Sequence, residues 1–127
     1  MFKNFLSGVF GSASQVSQEE LNREYGQLLV EGERIELGFV LIRDMFIFTN
    51  KRLILVDKQG FTGKKVEYMS VAYKSISRFS IETAGSFDLD AELKIWVSGE
   101  HQPSIQKQFN KSVNVYEVQR ILASYIL

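Results

Sequence analysis

The chain has no cysteine among its 127 residues. Disulfide scaffolds, thiolate metal centres and cysteine nucleophiles are therefore excluded. It has one histidine and one proline. A lone histidine is poor material for a multi-histidine metal site or a histidine-based triad. It also lacks an excess of either charge, because fifteen basic side chains balance fifteen acidic ones. A neutral sum gives no global attraction to nucleic acid or to an anionic membrane. No apolar run approaches the roughly 20 residues that cross a bilayer. The apolar N-terminal stretch is broken by Asn4, Ser7, Gly8 and Gly11, too often for a secretory signal. These absences predict a soluble, cytoplasmic protein.

What is present is a globular mixture, 45% hydrophobic and 24% charged, in a length that suits one core. From Glu36 to Phe109 the chain reads as seven short β-favouring runs. Leu37, Phe39 and Leu41 alternate with Gly38, Val40 and Ile42, and Met45 to Thr49 returns after Arg43-Asp44. Further runs cover Leu53 to Val56, Val66 to Val71, Ser77 to Thr83, Ala91 to Val97 and Pro103 to Phe109. Ala91, Leu93, Ile95 and Val97 form the cleanest inward row, opposite Glu92, Lys94, Trp96 and Ser98. Pro103 opens the last strand, where a missing donor is tolerated.

Helical spacing flanks the strands. Phe2, Phe5, Leu6, Val9 and Phe10 share one face of a first segment. Ser17 with Glu20 reads as a capping box for a helix from Gln18 to about Leu29, which Gly32 stops. Asn114 caps a final helix with Val115, Val118, Ile121, Leu122, Tyr125 and Ile126 on its apolar side. A strand set this long hides its edges by curling, and a terminal helix can plug the open end. The predicted class is mainly β, α+β by helix content. A helical extension over residues 1–31 precedes a domain over residues 32–127.

Specific runs carry a family likeness. Thr49-Asn50-Lys51-Arg52-Leu53-Ile54-Leu55-Val56-Asp57, followed by Gly60, Gly63 and Lys64-Lys65, resembles the bacterial pleckstrin-homology (PH) domains. So does Glu82-Thr83-Ala84-Gly85 with Phe87-Asp88-Leu89-Asp90-Ala91-Glu92-Leu93-Lys94. The resemblance implies seven strands in two bent, nearly orthogonal sheets closed by the C-terminal helix. It also implies a tendency to form closed homo-oligomeric rings, without a known enzymatic activity. Phosphoinositide-binding PH domains of eukaryotes place a long basic loop between their first two strands. Here only Arg43, Asp44 and Met45 separate Ile42 from Phe46. So tight a turn cannot wrap an inositol phosphate in that way, and lipid binding is not carried over.

Other constellations have plainer readings. His101 sits in a polar turn with no second histidine. No nucleophile-elbow pattern surrounds a serine. Glu82, Asp88, Asp90 and Glu92 concentrate negative charge, but without EF-hand spacing. Gly60 to Lys65 lacks Walker spacing and a following helix, and reads as a hairpin loop. No cofactor and no metal are expected.

Two surface features point to partners. The early strands are apolar on both faces, and Trp96 stands in the polar row of its strand. An antiparallel sheet with one wet side alternates more cleanly, so something covers the second face. That cover is either the Gln18 to Leu29 helix or another copy. The candidate oligomer interface is Val40, Ile42, Met45, Ile47 and Trp96. Arg43, Lys51, Arg52, Lys64 and Lys65 form a candidate rim for an anionic partner. The leading expectation is a non-enzymatic scaffold that binds itself, as a ring, and an unidentified protein. A peripheral module on anionic lipid is the rival. The Phe2 to Phe10 stripe packs on a neighbouring element or a partner protein in the favoured reading and lies in the membrane interface in the other. No nucleic-acid motif appears.

Overall fold

The period-two stretches form antiparallel strands in two sheets. A computed structural model describes residues 14–15, 17–40, 44–59, 65–83, 91–109 and 114–127. The first sheet runs β1 (Ser14–Gln15), β2 (Ile35–Val40), β3 (Asp44–Thr49), β4 (Arg52–Gln59) and β5 (Lys65–Ala72), in that spatial order. The second runs β6 (Ile76–Glu82), β7 (Ala91–Val97) and β8 (Ile105–Phe109). A 3₁₀ turn at Tyr73–Ser75 carries the chain from one sheet to the other. The seven expected strands are β2 to β8, and β1 is a two-residue addition to the edge of β2. The Phe2 to Phe10 stripe, Ile42, Arg43, Lys64 and the Asp88–Asp90 pair lie outside the described residues.

The main core lies between the sheets. Phe39, Phe46 and Phe48 meet Leu93, Ile95 and Phe109, all at most 1% exposed. Helix α2 (Val115–Ile126) adds Val118 and Leu122 to that core. Its start is set by Asn114, whose side chain accepts from the Tyr116 amide at 3.1 Å. Near its end Tyr125 stacks on Tyr73, with ring centroids 4.7 Å apart and planes 6° from parallel. The Tyr125 hydroxyl donates to Glu36 Oε2 at 3.0 Å, which fixes the helix to β2. The helix therefore stoppers the space between the sheets, as the apolar spacing of its sequence requires.

Helix α1 (Gln18–Tyr25) covers the opposite face of the first sheet. Ser17 caps it, accepting from the Glu20 amide at 3.2 Å. Leu21 and Tyr25 pack there on Ile35, Ile47, Ile54 and Val56. The helix is shorter than expected. It stops at Tyr25, and a 3₁₀ turn, Gly26–Leu28, replaces its last expected turn. Gly26 is a poor helix former and sits where the tighter turn begins. Gly32, at φ +83°, then reverses the chain into β2, a conformation that suits glycine.

Candidate functional site

The most tightly organised polar feature is a buried ion pair that the sequence reading missed. Glu33 lies between α1 and β2, and its side chain is 0% exposed. Arg52, at the start of β4, meets it with two contacts: Nε to Oε2 at 2.8 Å and Nη2 to Oε1 at 3.0 Å. The carboxylate also accepts from the Val30 amide at 3.0 Å and from Thr49 Oγ1 at 2.7 Å. Arg52 further donates to the Leu28 carbonyl at 2.7 Å and to Ser70 Oγ at 2.8 Å. Hydrogen bonds from Arg52 hold the Glu33 carboxyl down at about 2, against the opposing effect of burial. This network ties the turn after α1 to β3, β4 and β5.

That geometry places three described members of the expected basic rim, Lys51, Arg52 and Lys65. Arg52 is committed to Glu33 and points into the chain. Lys51 is exposed beside it, at the turn where Arg52 stands opposite Ala72. Lys65 stands opposite Gln59 at the other end of the same hairpin. Seven strand steps separate those ends, about 23 Å. Lys51 and Arg52 therefore stand apart from Lys65, because the full length of β4 lies between them.

The expected interface divides too. Ile47 is 0% exposed and lies under α1, so the intramolecular cover is the one observed there. Val40 and Met45 stay half-buried and face each other across β2 and β3. The cross-strand row continues through Val56 to Tyr68, which is 48% exposed. The sequence does not single out Tyr68, because an isolated β-run does not reveal that it ends a sheet. Trp96 is half-buried on the outer face of the second sheet. Its Nε1 donates to the His101 carbonyl at 3.1 Å, and the Arg78 guanidinium lies 4.5 Å from its ring centroid. His101 thus contributes its backbone, with its side chain exposed. Glu92 accepts from Gln106 Nε2 at 2.6 Å on the same sheet. Among the described residues, no three histidine or carboxylate side chains gather as metal ligands. No described helix is long and apolar enough to cross a membrane.

The chain is similar to known proteins over nearly its whole length. The uncharacterized protein YjqA of Bacillus subtilis (strain 168) is 55% identical over 120 residues, covering 94% of this chain and 96% of that protein. The uncharacterized protein YozO of the same organism is 35% identical over 119 residues, covering 94% and 97%. A DUF1696 family protein with a pleckstrin-homology domain, from Shewanella loihica PV-4, superposes with a TM-score of 0.84 at 50% identity. That match covers 92% of this chain and 99% of the other. A pleckstrin homology domain from Shewanella amazonensis SB2B gives 0.77 at 44% identity, over 100% and 99%. The family model described as the bacterial PH domain matches residues 4–126, and with the two-sheet fold closed by α2 this chain belongs to that family.

Proposed function

We propose that the chain is a non-enzymatic, cytoplasmic interaction module that assembles with copies of itself into a ring and presents the ring to a protein partner. The observation that carries this reading is apolar surface left over after α1 has docked. Val40 and Met45 remain half-buried on the first sheet, and Trp96 remains half-buried on the second. The two patches differ in shape and chemistry. A contact in which one patch meets the other on the next copy is heterologous, and such contacts form a ring when the rotation between copies closes and a filament when it does not. Aromatic and methionine side chains in this half-exposed state are favoured interface material.

Light scattering at micromolar concentration tests the reading. The expected mass is a whole multiple of the chain mass, and Met45→Glu lowers it. A monomer mass for the unaltered chain overturns the proposal.

A further inference from the structure

We infer that the outer edge of β5 takes up an extended segment of another protein, one that reads apolar–basic–apolar, by strand addition. This deepens the interaction-module reading and rests on it. β5 is the end strand of the first sheet, hydrogen-bonded to β4 alone among the described strands. Its register with β4 runs from Lys65 opposite Gln59 to Ala72 opposite Arg52 without a break. Lys65, Glu67, Tyr68, Met69 and Ser70 are all exposed. Natural edges of this length are blunted by a bulge, a proline or a covering segment. None of these is found on β5 among the described residues, where the only blunting is two charged side chains, Lys65 and Glu67. A long straight edge with free backbone donors and acceptors is the template that added strands use.

Charge selects the occupant. Asp44, Asp57 and Glu67 stand directly opposite one another on β3, β4 and β5, three carboxylates in one cross-strand row. Lys107 pairs with Asp44. Neither Asp57 nor Glu67 takes part in an ion pair among the described residues. Like charges directly opposite oppose each other, and an opposite charge in the next strand relieves them. The added residue facing Glu67 is therefore lysine or arginine. Its two neighbours face Val66 and Tyr68 on the other side of the sheet, beside α1, and are apolar. A second copy does not meet these terms. Antiparallel self-pairing centred on Tyr68 sets Met69 opposite Glu67, centred on Met69 it sets Val71 there, and centred on Val66 it sets Lys65 there but engages only Lys65–Glu67 of the strand.

The test uses the full chain and a soluble nonapeptide, Ser-Thr-Thr-Val-Lys-Val-Thr-Thr-Ser, with fluorescence anisotropy as the readout. The expected result is binding at least tenfold tighter than for the same peptide with glutamate in place of lysine. Glu67→Lys, an exposed change that leaves the fold intact by circular dichroism, reverses that preference. Methylating the backbone nitrogens of one alternate set of peptide residues abolishes binding, and methylating the other set does not. Equal affinity for the two peptides, no binding of either, or indifference to Glu67→Lys overturns the inference. So does a fall in the protein's own assembled mass on Glu67→Lys, which would make the edge a seam between copies. Loss of assembly in the unaltered chain, by contrast, overturns the ring reading and leaves the peptide result to stand or fall separately.

Discussion

Leu21 of α1 occupies the space where a side chain on Gly38 of β2 would be. A Cβ at position 38 would stand 2.7 Å from Leu21 Cδ1 and 2.9 Å from Cδ2. Leu21 is only 1% exposed, so it has little room to retreat. Glycine inside a strand costs roughly 0.5–1 kcal/mol, and alanine would recover some of that. Overpacking a filled core costs about 1–3 kcal/mol. The steric effect is the larger, so Gly38→Ala destabilises and Gly38→Val destabilises more. The midpoint of urea unfolding checks this, and a midpoint for Gly38→Ala above that of the unaltered chain contradicts it.

Arg52→Met removes the only cation that meets the sealed Glu33 carboxylate among the described residues. Breaking one side of a buried pair costs about 3–5 kcal/mol, because the remaining charge stays desolvated. Replacing both partners with apolar groups of similar size avoids that penalty. The double change Arg52→Met with Glu33→Leu is therefore expected to be more stable than Arg52→Met alone. A complete double-mutant cycle in urea measures the coupling. Additive single effects would mean that the pair does not act as a unit.

The same carboxylate sets an acid limit. Its folded value of about 2 lies below the ordinary carboxylate value of 4.5. A depressed value contributes stability that is fully present above the unfolded value and lost as pH falls towards the folded one. Stability should therefore decline between about pH 4.5 and pH 2. Glu33→Gln should flatten that decline while lowering stability at pH 7. At the alkaline end the sign reverses. Burial raises the Tyr73 hydroxyl far above its ordinary range and raises Tyr25 to about 12. Raised groups stabilise fully below their unfolded value near 10 and lose that contribution as pH climbs. Thermal midpoints across both ranges test the two slopes, and a Glu33→Gln acid slope equal to that of the unaltered chain defeats the assignment.

The fold is legible in the sequence through periodicity. Ala91, Leu93 and Ile95 alternate with Glu92, Lys94 and Trp96, and that order survives in the burial of β7. Both-face burial of β3 was legible as a requirement for cover. The resemblance favours a second copy as the cover over Ile47, whereas α1 supplies it, because the contact joins segments whose spacing has no period. Glu33 and Arg52 were illegible as a pair for the same reason. They lie 19 residues apart on either side of a hairpin. Arg52, counted with its basic neighbours, looked like surface charge, although its partner turns it inward. The free edge of β5 could not be read either, since edge position is a property of the assembled sheet.

Trp96 offers a direct view of the proposed assembly, because it is the chain's one tryptophan. It belongs to the second sheet, whereas Met45 belongs to the first. Within one copy, Arg78 and the His101 carbonyl already shield part of the indole. If the Met45 patch of one copy covers Trp96 of the next, dissociation removes the remaining cover. Met45→Glu should then lower the assembled mass and shift Trp96 emission to the red in the same titration. Acrylamide quenching should rise in parallel. A control on the intramolecular shield is Arg78→Ala, which should raise quenching with the mass unchanged. A fall in mass with no change in emission would place Trp96 outside the seam, and the next copy would then meet Met45 through some other face.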